Sequence, residues 1–199
     1  MQTPDRQRHW RWGFAAAGLL AVCLLPLAAW AQGGSGSDGV QAPPPTESAI
    51  KAAFLYKFGA FVDWPAGTFK AAGEPMVIGV AGDDQVRADL ERLVAGRKVE
   101  GRPVKVVRVD DIRPPSGVHI FFLGQQREDR LGESLDASSG PILLVTDRPG
   151  ALQLGSIINF STDTGKVRFS VSLTTAEARA LKLSARLLAV AQSIEGHSR

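Results

Sequence analysis

The sequence is poor in the residues on which many catalytic and metal sites depend, with one cysteine, Cys23, and three histidines among 199 residues. A lone cysteine cannot close an intramolecular disulfide, so packing must stabilise the fold even in an oxidising compartment. After residue 31 only His119 and His197 remain, and a hydrolase triad or a zinc site would need one of them. No G-x-S-x-G, Walker, H-E-x-x-H or C-x-x-C pattern occurs there. We therefore predict no catalytic residue, no metal site and no cofactor.

Runs of positive charge are also absent. The net charge is +3 at pH 7, and residues 1–31 contribute three arginines and one aspartate to it, so the remainder carries only +1. The other arginines and lysines are scattered, whereas nucleic-acid-binding domains concentrate them in a patch or stripe. The sequence thus predicts no nucleic-acid partner.

The N-terminus has the three parts of a secretory signal peptide. Three arginines within the first eleven residues precede an apolar run from Phe14 to Trp30, and Ala29 and Ala31 place small residues at positions −3 and −1. We therefore predict a signal peptide over residues 1–31, cleavage between Ala31 and Gln32, and a periplasmic location.

Two alternatives to cleavage remain open. An uncleaved membrane anchor needs about 20 apolar residues, but this run is shorter and Pro26 interrupts it. Lipidation of Cys23 would follow from the lipobox-like segment Leu20–Cys23, although the apolar run continues to Leu27 after the cysteine. Both observations favour cleavage.

For the exported protein we expect an intact mass that corresponds to a chain beginning at or near Gln32. Signal peptidase selects the small residues at −3 and −1, and these end at Ala31. Mass spectrometry of the periplasmic fraction measures the new N-terminus. A mass that retains residues 14–30, or a lipid on Cys23, would contradict this prediction.

The next segment, residues 32–45, is rich in glycine, serine and proline and predicts a disordered spacer. We predict the folded domain over residues 46–196, with Thr46 as the N-cap of a first helix. Apolar side chains then recur at helical spacing as far as Trp64 and Pro65. They are Ile50, Phe54, Phe58, Phe61 and Val62.

The middle of the chain alternates predicted strands with predicted helices. One helix should follow an N-cap at Asp83 or Asp84, and another should span 127–137. The predicted strands are 76–81, 103–109, 118–123 and 142–146. This alternation is typical of an α/β domain with a largely parallel sheet flanked by helices.

The C-terminal part changes character. Segments 157–161 and 167–172 predict a β-hairpin through the Thr-Asp-Thr-Gly sequence between them. A helix should begin at Thr174 or Thr175, and a second should run from about residue 185 to 194. We therefore predict a single α/β domain with a mixed, mostly parallel sheet and a C-terminal β-hairpin and helices.

Several side chains are candidates for a site at the strand ends, where α/β sheets bind ligands. Helix capping and turn formation are the favoured explanation of the carboxylates there, ahead of a metal or an acid/base pair. We expect His119 to be a packed strand histidine rather than a ligand contact. The carboxylates are Asp83, Asp84, Asp110, Asp111 and Asp147.

Three other side chains pose a choice between structure and recognition. Arg168 alternates with Val167 and Phe169, so it should point away from the core, either into a structural ion pair, which we favour, or towards a partner. Tyr56, the single tyrosine, and Trp64 at the end of the first helix fit either the edge of the core or a recognition surface.

A set of motifs in fixed order resembles the YfiR family of periplasmic proteins. The similarity extends over residues 49–191, and the family's paired cysteines are absent from this chain. Ser172 stands after Val171, where asparagine is frequent in the family. The matching motifs are Ile50–Phe58 with Trp64–Pro65, Gly101–Val104, Ile158–Phe160, Gly165–Phe169 and Ser184–Leu188.

The resemblance implies a periplasmic repressor that binds the sensor region of an inner-membrane diguanylate cyclase and lowers cyclic di-GMP. It also implies homodimers. A small-solute-binding module with a cleft at the strand ends is the alternative, and an enzyme is the least supported reading. A broad apolar patch would favour the protein partner, and a deep pocket the solute. The positions matched to the family motifs, and hence the candidates for partner or ligand binding, are Tyr56, Trp64, Asn159, Phe160 and Arg168.

Overall fold

The computed structural model describes residues 43–111, 113–124 and 131–196. The predicted signal peptide, its cleavage site at Ala31 and Gln32, most of the spacer and His197 lie outside these residues. None of the helices within them is long and apolar enough to cross a membrane.

The described chain forms five helices and ten strands, several of them very short. In chain order they are α1 (Glu47–Phe58), β1 (Val62–Asp63), β2 (Met76–Ala81), α2 (Asp84–Val94), β3 (Lys98–Val99), β4 (Arg102–Arg108), β5 (Ile120–Leu123), α3 (Leu131–Ala137), β6 (Leu143–Thr146), β7 (Ile158–Asp163), β8 (Lys166–Ser172), α4 (Leu173–Ala178), β9 (Lys182–Leu183), α5 (Ala185–Leu188) and β10 (Ser193–Glu195).

Eight of these strands form one sheet in the order β10-β8-β7-β6-β5-β2-β4-β3. The neighbours from β7 through β6, β5 and β2 to β4 are parallel, as are β8 and β10. The pairs β3–β4 and β7–β8 are antiparallel. Strands β1 and β9 form a separate antiparallel pair. The predicted α/β class with a mixed, mostly parallel sheet is confirmed.

Side-chain caps fix where four of the described helices begin, and Ser184 is the cap of α5. The amide of Ala49 donates to Thr46 Oγ1 at 3.2 Å, and that of Val86 donates to Asp83 Oδ1 at 2.9 Å, so the predicted caps of α1 and α2 are confirmed. Ser172 Oγ accepts from the amide of Thr175 and caps α4. Serine and asparagine cap helices about equally well, so the serine at this position, where the family pattern has asparagine, is compatible with a cap.

The C-terminal hairpin is confirmed and is tighter than the sequence predicted. Strands β7 and β8 pair as far as Asp163 and Lys166, which leaves a two-residue loop. Thr164 and Gly165 occupy that loop with φ of 47° and 75°. Positive φ at both loop positions matches the right-handed twist of the strands, and glycine adopts it without strain.

Two predicted helices are too long. Helix α1 ends at Phe58, so the apolar pattern up to Val62 continues beyond the helix into β1. The predicted helix over 185–194 is wrong after α5, since Ser193–Glu195 forms β10 parallel to β8. The backbone groups on the free edge of β8 need partners, and β10 supplies them. Of the predicted helix over 127–137, the structure describes residues 131–137, and these form α3.

The centre of the core is a cluster of phenylalanines between α1 and the sheet. Phe58 stacks on Phe160 with ring centroids 5.8 Å apart, and it meets Phe169 edge-on at 5.3 Å. Phe54 lies 5.4 Å from Phe169, and Phe122 of β5 lies 6.2 Å from Phe160. This cluster fixes α1 against β7 and β8. It thereby positions the two sides of α1 that carry Lys51 and Tyr56.

Candidate functional site

The five residues matched to the family motifs lie in different surroundings and do not form one site. Phe160 is buried in the phenylalanine cluster. Asn159 holds a turn at the carboxyl edge of the sheet, Trp64 packs at the opposite edge, and Tyr56 borders a surface groove. Arg168 lies on the exposed side of β8. The motif therefore combines core positions with surface positions.

Arg168 is exposed, and no carboxylate within the described residues lies within ion-pair distance of it. It stands opposite Ser161 of β7, while Phe169 and Val171 of its own strand are buried. The predicted alternation is confirmed, but the structural ion pair that we favoured is not formed with any residue that the structure describes. Its guanidinium, a planar five-fold donor, is open to a partner.

Asn159 organises the turn after β6. Its Oδ1 accepts from the hydroxyl of Thr146 at 2.7 Å and from the amide of Arg148 at 2.9 Å. These bonds span the residue between, Asp147, and hold its backbone in place. Asn159 is thus a positioning residue at the carboxyl edge of the sheet.

A buried ion pair lies beside this turn. Lys51 Nζ is 2.8 Å from Asp147 Oδ2 and 2.7 Å from Glu47 Oε1, and the Lys51 and Asp147 residues are each only 5% exposed. Burial raises the pKa of the Asp147 carboxyl, while the Lys51 ammonium opposes this shift. Burial lowers the pKa of Lys51, but its bonds to the two carboxylates outweigh that and leave its pKa raised. The contact ties α1 to the carboxyl end of β6.

The carboxylates that sequence analysis grouped at the strand ends therefore have different roles. Asp83 is a cap, as predicted, and Asp147, in the turn after β6, forms an ion pair with Lys51. A cleft of about 550 Å³ borders Asp147, Lys51 and Asn159. Gly124 packs against Asp83. A Cβ atom at position 124 would lie only 2.9 Å from Cβ of Asp83, so a larger residue there would force a shift. Within residues 43–196 as described, no cluster of three or more potential metal ligands occurs.

His119 is buried at the amino edge of the sheet, as predicted, with 3% exposure. Its Nδ1 accepts from the amide of Val77 at 3.1 Å. Its ring stacks on Phe69 at 4.4 Å and meets Trp64 edge-on at 5.9 Å, and the Arg102 guanidinium covers the other face of Phe69. Burial lowers the pKa of His119. The neutral ring is therefore the form that fits this site.

An apolar groove of about 610 Å³, here called the α1–α5 groove, opens on the surface between α1, β3 and α5. Val190, just after α5, is 65% exposed at its edge. The hydroxyl of Tyr56 donates to the Lys98 carbonyl at 3.0 Å and joins two of its walls. The apolar walls of the groove are Phe54, Tyr56, Phe61, Val99, Leu187 and Val190.

The rim of the α1–α5 groove is predominantly cationic. Lys57, Lys98 and Arg186 line it, against the single carboxylate of Glu100. All four side chains are exposed. None of the three cations forms an ion pair with another described residue. The groove thus combines half-buried aromatic surface with a rim in which cations outnumber carboxylates.

Two of these features were not predicted from the sequence. The Lys51–Asp147 pair joins residues 96 positions apart, although a lysine on the inner face of an otherwise apolar helix signalled a buried partner. The cations of the groove come from three separate elements, and only Tyr56 among its lining residues was a candidate. No local pattern brings those elements together.

Comparison with known proteins gives one family and one partial structural likeness. A model of the YfiR/HmsC-like family matches residues 48–192. A conserved domain protein from Vibrio cholerae O1 biovar El Tor has 9% sequence identity and a TM-score of 0.49, and the match covers 75% of this chain and 60% of that one. The chain thus spans less than two thirds of that protein's length. No curated protein matches the sequence.

Proposed function

Because the chain belongs to the YfiR/HmsC-like family of regulators in cyclic di-GMP signalling, we propose that it represses an inner-membrane diguanylate cyclase. It does so from the periplasm, by binding the sensor region of the cyclase, and it carries no catalytic residue of its own. The family acts with a membrane-associated partner, and the match covers nearly the whole described domain. This match is the observation that carries the proposal.

Repression by binding sets a thermodynamic requirement. The inactive state of the cyclase must be bound more tightly than the active state, since a ligand shifts an equilibrium only by its differential affinity. Repression therefore needs a surface that a partner can contact. Two features are candidates for this surface: the exposed guanidinium of Arg168 and the α1–α5 groove. Tyr56, on the wall of that groove, is a second candidate contact.

Deletion of the gene should raise cellular cyclic di-GMP, and Arg168→Ala should reproduce part of that rise. An interface arginine contributes strongly to many protein complexes, and we expect its loss to weaken binding about tenfold. Because Arg168 is exposed and unpaired among the described residues, its truncation should change stability by less than about 0.5 kcal/mol. Cyclic di-GMP is measured by mass spectrometry, with secretion level and circular dichroism for each variant.

The matched control is Arg113→Ala, another exposed arginine, which should leave cyclic di-GMP unchanged. Unchanged cyclic di-GMP on deletion, in cells that export the wild-type protein, would contradict repression. The solute-binding alternative would then take its place, with the cleft beside Asp147 as its site.

Homodimers are part of the same proposal. Sedimentation of the mature protein in the analytical ultracentrifuge measures its oligomeric state.

A further inference from the structure

We propose that the α1–α5 groove binds an acidic, amphipathic segment of the partner protein, with apolar side chains entering the groove and carboxylates meeting its rim. This inference rests on the proposed function, since it names the chemistry of the partner. The exposed Val190 and the half-buried Phe54 and Phe61 provide apolar surface that the described chain leaves uncovered. Leu187 and Phe169 also line the groove and are themselves buried.

The shape of the surface favours a protein segment over a membrane. The groove is concave, with a volume of about 610 Å³ between three elements, so it accepts inserted side chains. A lipid surface is better matched by a protruding apolar face. A helix that places apolar residues at i, i+3, i+4 and i+7 presents a ridge of the kind that such grooves receive.

The positive charge at the rim of the groove favours a partner segment with negative charge. Lys57, Lys98 and Arg186 outnumber Glu100, and none of the three cations has a carboxylate partner among the described residues. Acidic side chains beside an apolar ridge would complement them. A second copy of this chain in a two-fold contact would instead place the same three cations against themselves, because such a contact joins identical patches.

The test uses two helical peptides with the same leucine ridge, one flanked by glutamates and the other by lysines. Binding of each to the mature full-length protein is followed by fluorescence anisotropy of a label on the peptide. We expect the glutamate peptide to bind about tenfold more tightly than the lysine peptide, with the difference decreasing at high salt. Val190→Glu should abolish binding of the glutamate peptide, because it places a carboxylate against the ridge.

A charge swap guards against effects of misfolding. The double variant Lys57→Glu/Arg186→Glu should reverse the preference and bind the lysine peptide more tightly, which an unfolded protein would not do. Leu154→Glu is the matched control for Val190→Glu, since Leu154 is 52% exposed and lies outside the groove lining. This control should bind the glutamate peptide as the wild type does.

Equal affinity for the two peptides would overturn the inference, as would an unreversed preference in the charge-swap variant. Binding to phosphatidylglycerol vesicles that Val190→Glu abolishes, without any peptide preference, would assign the groove to the membrane instead. Self-association abolished by Val190→Glu would assign it to a second copy. If deletion raises cyclic di-GMP but Val190→Glu does not, the groove inference fails and the proposed function stands; if deletion has no effect, the proposed function fails.

Discussion

Lys51→Met should lower the free energy of unfolding by up to about 3–5 kcal/mol, because it removes the ammonium group that contacts the buried Asp147 carboxylate. Both residues are 5% exposed, and their 2.8 Å contact joins α1 to the turn after β6. Ordinary domains have about 5–15 kcal/mol of stability in total, so this variant should be near the limit of folding. Urea unfolding followed by circular dichroism measures the change.

Glu47→Gln is the matched control on the other side of Lys51. Glu47 is about half exposed, and exposed ion pairs contribute at most about 1 kcal/mol, so this variant should be nearly as stable as the wild type. The double variant Lys51→Met/Asp147→Asn should be more stable than Lys51→Met, because it also neutralises the buried carboxylate that has lost its contact with the lysine. If Lys51→Met and Glu47→Gln had equal, small effects, the buried pair would not hold α1 in place.

Acidification from pH 7.5 to 5.5 should destabilise the protein through His119. Burial lowers the pKa of His119 in the folded state below the ordinary value of 6.5, so the unfolded state binds more protons as the pH falls. Stability is therefore complete above pH 6.5 and is lost as the pH falls towards the folded pKa, by at most about 1.4 kcal/mol per pH unit. A proton on Nδ1 would also face the amide of Val77, which already donates to that atom.

The charged groups that act on His119 have opposite effects, since Glu74 raises its pKa and Arg102 lowers it. His119→Asn removes the titration and can keep the bond to Val77 through Oδ1, so its stability should change little over this pH range. Trp64 provides the measurement, because it is the only tryptophan after residue 31 and meets the His119 ring edge-on. The same pH dependence in His119→Asn would assign the effect to another group, and His197→Gln is the control for the second histidine.

Features that depend on neighbours in the chain were predictable from sequence. The caps at Thr46 and Asp83 each follow from a side chain and the amide three residues later. The outward position of Arg168 follows from the two-residue period of a strand. What the sequence did not reveal was whether that arginine had a partner, because a salt bridge requires a carboxylate from another element.

Features that depend on distant parts of the chain were missed or misjudged. The C-terminal apolar spacing predicted a longer helix, but the open edge of β8 recruits residues 193–195 as a strand. In this case tertiary pairing overrides a local preference whose energy is small. Phe160 was matched to a family motif, and the packing of α1 on the sheet places it in the core.

By itself, then, the sequence determined the α/β class, the hairpin and the starts of α1 and α2, because hydrophobic period, capping and turn chemistry act over a few residues. The start of α4 at Leu173, capped by Ser172, lies slightly before the predicted Thr174 or Thr175. It also contained the ordered motifs of the family. Only the tertiary structure decided that Lys51 and Asp147 pair, that His119 is enclosed by Trp64 and Phe69, and that three cations surround one apolar groove. Such juxtapositions depend on how elements pack, and packing is set by the whole core rather than by any segment of it.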